Sequence, residues 1–453
     1  MQHRSLHYTG VILLVLLAAA AATQLLQAQE ISEKQEVAVF RLSYYDYDIP
    51  NSALGSIDEE IKAVFINIGR FDVIGMTYRL SLDDVNAFID RIKEYKQEQA
   101  EIPEQLQMGY EVFTERDMNR LIGTFYVVIP AVTFFSVERD RDGDYSAQLK
   151  VSFSVINVEE ATTFAQFFVE TSGTSEESGE RAAQRAIGKI PVYLEYELTK
   201  IPEFTLKSAV LERRGGEVVL ELGRNMGIRR GFEFIVITPR VLASGRLFEE
   251  ETGLVIVKDV GEEVSLGTVL YGSPREGDQL EEVPRVGFEL MPYFNVLLAP
   301  GEQWDFYYVA GLKATLGRGF YDFRPFFGIE TPLPIGPEDS VLPFLWVAGL
   351  PLTAYIGGEA TFYWGRLQIS PQVAFGVTTI IPWWVELDRP VVSHIGGYVG
   401  SNFSFLLNKN LKLSLDAGYK HYFGIWDVIL KYITDKTSSY GGIMLGAGLT
   451  IKF

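Results

Sequence analysis

The sequence predicts a multi-domain chain: an α+β domain, a small all-β domain, and a C-terminal antiparallel β-barrel of about eight strands. Three observations carry that prediction. Amphipathic helical stripes occur only before about residue 200. Between about 204 and 280, short apolar strands are broken by glycine turns with little helix. From Arg285 to the end no helical stripe is visible, and eight segments alternate apolar with polar or small residues. Period two is the mark of a strand with two unlike faces.

Bulk composition narrows the functional classes. At 453 residues the chain has room for roughly two to four domains. Charged residues make up 22% and the formal net charge is -19, which argues against binding nucleic acid through phosphates. Cysteine is absent. That removes disulfides, thiol catalysis, cysteine-ligated zinc or iron–sulfur sites, and lipid attachment through an N-terminal cysteine. The first thirty residues, MQHRSLHYTGVILLVLLAAAAATQLLQAQE, start weakly basic at Arg4 and run apolar from Val11 to Ala22. This is the length of a signal-peptide core and short for a membrane span. Residues 1–28 are therefore read as a signal peptide, cut after Ala28 or Ala22, on an exported protein.

The α+β domain is expected over 31–200. VAVFRLS (37–43) reads as a buried strand. Ser56-Ile-Asp-Glu59 has capping-box spacing and is expected to open a helix with Ile57, Ile61, Val64, Phe65 and Ile68 on one stripe. Gly69 ends it, and FDVIGM (71–76) is a second strand. Ser81 is expected to cap a helix carrying Leu82, Val85, Phe88, Ile89 and Ile92. Three long antiparallel strands follow in TFYVVIPAVTFFSVE, DYSAQLKVSFSVINV and TTFAQFFVETSG. Thr174-Ser-Glu-Glu177 repeats the capping box and is expected to open a helix reaching roughly Leu194.

The β-rich unit at 204–280 contains GEVVLELGRNMGIRRGFEFIVI and TGLVIVKDVGEEVSLGTVLYG, and ends in the linker SPREGDQLEEVPR. The barrel is expected over 285–453, with strands starting near Val286, Trp304, Phe320, Trp346, Leu367, Ser393, Leu411 and Tyr440. In LKLSLDAGYKHYF, Leu411, Leu413, Leu415, Ala417 and Tyr419 share one face, and Lys412, Ser414, Asp416, Gly418 and Lys420 the other. Connectors alternate in kind. Gly317-Arg-Gly319, Trp364-Gly-Arg366 and Leu407-Asn-Lys-Asn410 are tight, whereas TPLPIGPEDSVLPF, IPWWVELDRPV and FGIWDVILKYITDKTSS are long. Short turns on one side and long loops on the other are the pattern of an outer-membrane barrel, which must close because lipid satisfies no free strand edge. The expected fold is thus a periplasmic α+β domain, a small all-β domain and a C-terminal antiparallel transmembrane β-barrel.

An eight-stranded barrel has a lumen that side chains can fill. The polar phase contributes Glu289, Lys313, Asp322, Arg324, Glu330, Glu359, Lys412, Asp416 and Lys420, of both signs. Such charges in a narrow interior should pair, so a plugged barrel is expected rather than a diffusion pore. The alternation through Leu449 and Ile451 to the terminal Phe453 resembles the C-terminal assembly signal of bacterial outer-membrane barrels, which their insertion machinery reads.

The preceding part carries two further resemblances. VAVFRLS, the helix ending in GRFDVIGM, the helix opened by SLDD and the later GTSEESGERAAQRAIGKI are similar to the periplasmic superfamily of curli-secretion channel subunits and penicillin-binding-protein activator lipoproteins. VLELGRNMGIRRGFEFIV with VGEEVSLGTVLYG resembles the C-terminal domain of flagellar assembly protein T. The chain departs from the first group in having no lipidation cysteine, so attachment would fall to the barrel. The resemblance implies an envelope scaffold or adaptor and brings no catalytic residues.

The sequence offers little for catalytic or metal chemistry. Outside the presumed signal peptide only His394 and His421 remain, on neighbouring strands toward the long-loop side, and their parity places them on opposite faces. Asp140-Arg-Asp-Gly-Asp144 is rich in carboxylates, but an EF-hand loop needs glycine at its sixth position and here Gly143 is fourth. It reads as a polar hairpin tip. Trp383 and Trp384 are expected in an interfacial aromatic belt. No cofactor, metal or catalytic residue is expected. The expected partners are outer-membrane lipid, the barrel-insertion machinery and a periplasmic protein or cell-wall component, with homo-oligomerisation open. The expected role is an outer-membrane-anchored adaptor. A channel or transport subunit is the first alternative, and an outer-membrane lipid or ester hydrolase using His394 or His421 the second.

Overall fold

The computed structural model describes residues 31–44, 49–141, 143–299, 305–335, 346–347, 349–382, 391–425 and 439–453. The signal peptide and the Trp383–Trp384 pair lie outside the described residues.

The N-terminal unit is a mixed sheet with helices on both faces. Its strands are β1 (Gln35–Val39), β2 (Ser43–Tyr44), β3 (Phe71–Gly75), β6 (Tyr126–Arg139), β7 (Tyr145–Asn157) and β8 (Thr162–Ser175), in the order β3-β1-β6-β7-β8, with β2 beside β6. Pairing is parallel from β3 through β6 and antiparallel from there to β8. The apolar run at β1 follows from burial on both faces. Val37 and Val39 pack toward α1 (Asn51–Asn67), α4 (Gly179–Ile187) and α5 (Ile190–Thr199), together with Phe65, Phe153 and Leu194. Ala38 and Phe40 pack toward α2 (Val85–Ile92) and α3 (Glu115–Ile122), with Phe88, Phe113, Met118 and Val127.

Helix starts differ from the sequence expectation in three places, the first being α2, which begins at Val85 after Asp84, while the Ser81 hydroxyl accepts from the Asp84 amide at 3.2 Å one turn earlier. α1 begins at Asn51, directly after Pro50, and Ser56 lies inside it, donating to the Ser52 carbonyl at 3.0 Å. Thr174 and Ser175 remain in β8, paired with Ser146 and Tyr145. The cap of α4 is Ser178, whose hydroxyl accepts from the Arg181 amide at 3.2 Å. The expected single helix to Leu194 is two helices, broken at Gly188-Lys189, with Pro191 in the first turn of α5. The hairpin of β4 (Gln105–Met108) and β5 (Glu111–Thr114), with α3 after it, was not expected. Thr114 caps α3 by accepting from the Asp117 amide at 3.2 Å, so a signal for that helix was present.

The second unit closes on itself. Strands β9 (Lys207–Arg214), β10 (Glu217–Leu220), β11 (Glu233–Val241), β12 (Leu247–Val260), β13 (Ser265–Tyr271) and β14 (Gln279–Glu282) form a closed barrel in the order β10-β13-β12-β11-β14-β9. Val218, Phe234, Val236, Val255, Val257 and Leu280 fill it. Its joint with the first unit is a backbone contact between Gly69 (φ 79) and Gly227 (φ 77), where a side chain on either would strike the other's chain. Only glycine combines that left-handed φ with that approach.

The third unit is a closed eight-stranded antiparallel barrel. Its strands are β15 (Phe288–Ala299), β16 (Asp305–Leu316), β17 (Phe323–Pro332), β18 (Gly349–Ala360), β20 (Leu367–Pro382), β21 (Val391–Asn408), β22 (Leu411–Gly424) and β23 (Tyr440–Lys452). A short β19 (Phe362–Trp364) extends β18 beside the start of β20. Pairing of β18 with β20 and of β15 with β23 completes the ring.

Burial in this ring is inverted relative to a soluble barrel. Along β22, Lys412, Ser414, Asp416 and Lys420 are buried, whereas Leu413, Leu415, Tyr419 and Phe423 are exposed. Along β20 the same phase buries Gln368, Ser370 and Gln372 and exposes Val373 and Phe375. An apolar belt of this extent on the outside is not left in water without reason.

Candidate functional site: the charged lumen and its mouth

Alternation on each strand points one phase inward, and the shear of the ring then stacks those residues in layers. Near the tight-turn end, Arg324 on β17 lies 3.2 Å from Glu289 on β15 and 2.5 Å from Glu359 on β18. Lys412 on β22 bonds Glu289 at 2.6 Å, and Lys313 on β16 reaches Glu359 at 3.3 Å. Gln372 then spans the lumen, accepting from Lys313 at 3.1 Å and donating to Asp416 at 3.0 Å. Asn402 also donates to Asp416, at 2.9 Å. Above this layer Lys420 bonds Glu330 at 2.6 Å, and the Tyr293 hydroxyl donates to the same carboxylate. Tyr355, Tyr398, Tyr422, Tyr440 and Phe326 fill the remaining lumen.

Eight of the nine residues read as lumen charges are thereby placed inside: Glu289, Lys313, Arg324, Glu330, Glu359, Lys412, Asp416 and Lys420 are all buried. Asp322 is the exception. It lies exposed in the turn before β17, one residue ahead of the strand, where the alternation does not yet apply.

That set holds four buried carboxylates and four buried cations, so its formal charges balance, with Asp416 held by amides rather than by a cation. A fifth cation, Lys452, takes its partner from outside the ring. Its ammonium bonds Glu233 of β11, and Arg285 in the connecting segment bonds the same carboxylate at 2.9 Å. Burial would push the Glu233 carboxyl up, but Lys452 and Arg285 outweigh it and hold the group below the usual carboxylate range. Glu233, Arg285 and Lys452 were not in the expected set. Lys452 carries a sequence signal, being in the polar phase of the last strand, but its partner depends on a contact no local pattern shows.

The second unit sits on this mouth of the ring, and the three tight turns hold it. In the turn after β16, the Gly319 amide donates to the Arg230 carbonyl at 3.0 Å, and Arg318 reaches Glu195 of α5 at 2.5 Å. In the turn before β20, Arg366 lies 4.1 Å over the Tyr271 ring. In the turn after β21, Lys409 bonds Glu251 at 2.6 Å. The mouth holds a cavity of about 50 Å³ lined by Glu233, Arg285, Glu289, Arg324, Tyr363 and Lys452. Beside it lies one of about 20 Å³. About 10–15 Å³ of such space holds one water, so these spaces suit a few waters.

Leu449, Ile451 and Phe453 lie in the outward phase of β23. Phe453 stacks on Phe288 with ring centres 5.1 Å apart, and its amide donates to the Phe288 carbonyl at 2.9 Å. His394 is buried inside the ring beside Tyr440, while His421 lies between Tyr419 and Phe423 on the outer phase. The two cannot share a metal or a substrate. Among the described residues no cluster of three metal-ligating side chains occurs. At the β6–β7 tip the Asp140 carboxylate accepts from the Asp144 amide at 2.9 Å, a use internal to the turn.

No family model and no curated protein matches this chain. Among solved structures, similarity is found to the PelC dodecamer from Paraburkholderia phytofirmans, at 16% identity over 37% of this chain and 92% of that one, with a TM-score of 0.22. Lipoprotein GNA1162 from Neisseria meningitidis is similar at 9% identity over 34% and 94%, with a TM-score of 0.21. A major outer membrane protein from Thermus thermophilus is similar at 11% identity over 37% and 99%, with a TM-score of 0.22. At such scores these likenesses carry no argument about function.

Proposed function

We propose that the eight-stranded ring anchors this protein in the outer membrane, and that the two preceding units form a periplasmic platform for an envelope partner. The single observation behind the reading is the inversion of the ring: apolar side chains cover its outside, while paired charges and tyrosines fill its inside. Lipid suits that outer face and water does not. Among the described residues, paired charges and tyrosines fill the lumen and the second unit covers one mouth, which favours a binding and structural role over transport. The partner belongs to envelope assembly, a motor or cell-wall synthesis, with the barrel-insertion machinery as a transient one.

Three measurements on the full chain test this. Cell fractionation should find the protein in the outer membrane, released by detergent and not by salt. Purified protein in planar bilayers should give no steady openings; stable nanosiemens steps would replace the anchor with a channel. Crosslinking from the first unit in living cells should then capture a periplasmic protein other than insertion factors.

A further inference from the structure

The hairpin joining β11 and β12 leaves the small barrel. β14 pairs with β11 only as far as Ile237, and β13 pairs with β12 only from Leu254 onward. Beyond these points Thr238–Val241 and Leu247–Glu250 pair only with each other, closed by the Leu242 amide donating to the Arg246 carbonyl at 2.8 Å. Every residue from Pro239 to Thr252 is exposed. A free two-stranded arm is marginal in water, and this one ends in large apolar side chains. Val241 is 60% exposed, Leu242 42%, Leu247 59% and Phe248 53%.

The direction of the arm follows from what β12 touches on its way out. At one end the Val257 carbonyl accepts from the Gly231 amide, next to Arg230 and the turn between β16 and β17. In the middle, Leu254 and Ile256 pack with Tyr321 and Leu406 of the large ring. At the other end Glu251 is bonded to Lys409 in the turn between β21 and β22. Those two turns lie on opposite sides of the ring, with four strands between them in either direction. β12 therefore crosses the mouth along a diameter and leaves over the rim at Lys409. The four residues Leu247–Glu250 carry the arm about 13 Å further, at the level of the rim rather than away from it. At that same end the ring's own outer face is strongly apolar: Trp364 is 78% exposed, Phe362 62% and Leu407 46%.

We infer that this arm is a second lipid-contacting element, lying in the head-group layer beside the barrel with Val241, Leu242, Leu247 and Phe248 dipped into it. The inference rests on the membrane-anchor reading above. Three features select a lipid surface as the occupant. The apolar tip continues the apolar belt of the ring at its rim. Arg246 at the tip carries the charge that suits anionic head groups, while Arg240 is paired with Glu250 at 3.5 Å. The tip from Val241 to Phe248 mixes aliphatic, aromatic and cationic residues, with the acids Glu249, Glu250 and Glu251 set back toward the root, which is the pattern of an interfacial element rather than a spanning one. With the mouth-crossing strand as its root, the arm would set the tilt and rotation of the platform against the membrane.

The chain has no cysteine, so single labels are unambiguous. Full-length protein carrying Leu242→Cys, Leu413→Cys or Tyr110→Cys would be labelled with a fluorophore. Each would be reconstituted into nanodiscs of phosphatidylethanolamine and phosphatidylglycerol with a lipid-borne quencher. Leu413 reports the ring's outer face, and Tyr110 is a fully exposed residue of the β4–β5 hairpin. The expected result is quenching at 242 comparable with that at 413, and none at 110. Quenching at 413 with 242 behaving like 110 overturns the arm's role and leaves the anchor intact. Absence of quenching at 413 removes the anchor reading and the arm with it. Shielding of 242 from lipid and aqueous quenchers alike, with crosslinking between copies, replaces lipid by a second copy of this chain and overturns the inference.

Discussion

Lys452, the penultimate residue, donates to Glu233 of the small barrel across a separation of 219 residues, and each side chain is only 5% exposed. The pair joins the last strand of one barrel to the first residue of a strand in another. Arg285, in the segment between them, meets the same carboxylate and also bonds the Lys452 carbonyl at 3.1 Å. One acid thus ties the connecting segment and the chain end to the platform.

Replacing one partner of a buried pair strands the other charge, at a cost of about 3–5 kcal/mol. Lys452→Met should therefore loosen the junction by an amount in that range, reduced by the remaining bond from Arg285. Urea unfolding in detergent, followed by protease cleavage within residues 283–287, reads the loss. The double change Glu233→Gln with Lys452→Met should recover part of it.

The same acid predicts a pH limb. Glu233 is held below its ordinary value in the folded chain, and an unfolded glutamate titrates near about 4.3. Its contribution is therefore complete above that value and is lost as pH falls through the lower folded-state value. The junction should be unchanged from neutrality to about pH 5 and weaken in stronger acid, with Glu233→Gln lacking that dependence. Energy transfer between labels on the two barrels would follow it.

Inside the ring, Lys420 and Glu330 are 1% and 0% exposed. Lys420→Met leaves Glu330 with the Tyr293 hydroxyl and no cation. The expected loss is about 3–5 kcal/mol, seen as a lower temperature for conversion of the compact gel band to the unfolded one. Adding Glu330→Gln should restore much of it. Neither variant should conduct, since the tyrosines still fill the lumen.

Deleting Phe453 removes a ring stacked on Phe288 and little buried area, because Phe453 is 41% exposed. Refolding of the purified chain in detergent should change little. The fraction inserted in living cells should fall several-fold if the terminal aromatic is a recognition signal. Equal losses in both assays would make it merely structural.

The parts of the fold legible in the sequence are those whose signal is local. Period two along β20 and β22 sorts outward from inward residues without knowledge of any partner, which is why Lys412 and Asp416 could be placed. Asp322 faces water because the alternation of β17 holds only from Phe323 onward. The Thr174 box failed because Thr174 and Ser175 gain more from pairing with β7 than from capping a helix. Closure of the small barrel was not legible. It depends on β9 meeting β14 and β10 meeting β13, far apart in sequence, and composition is silent on such pairings. The pairing of lumen charges is hidden for the same reason, Lys420 and Glu330 being 90 residues apart.

The Glu233 clamp draws on both the segment entering the ring and the strand that completes it, so it is whole only when both are in place. A molecule with an unfinished circle would hold Glu233 through Arg285 alone, half-clamped. Docking then serves as a receipt for finished construction, issued once the ring's first and last strands have met.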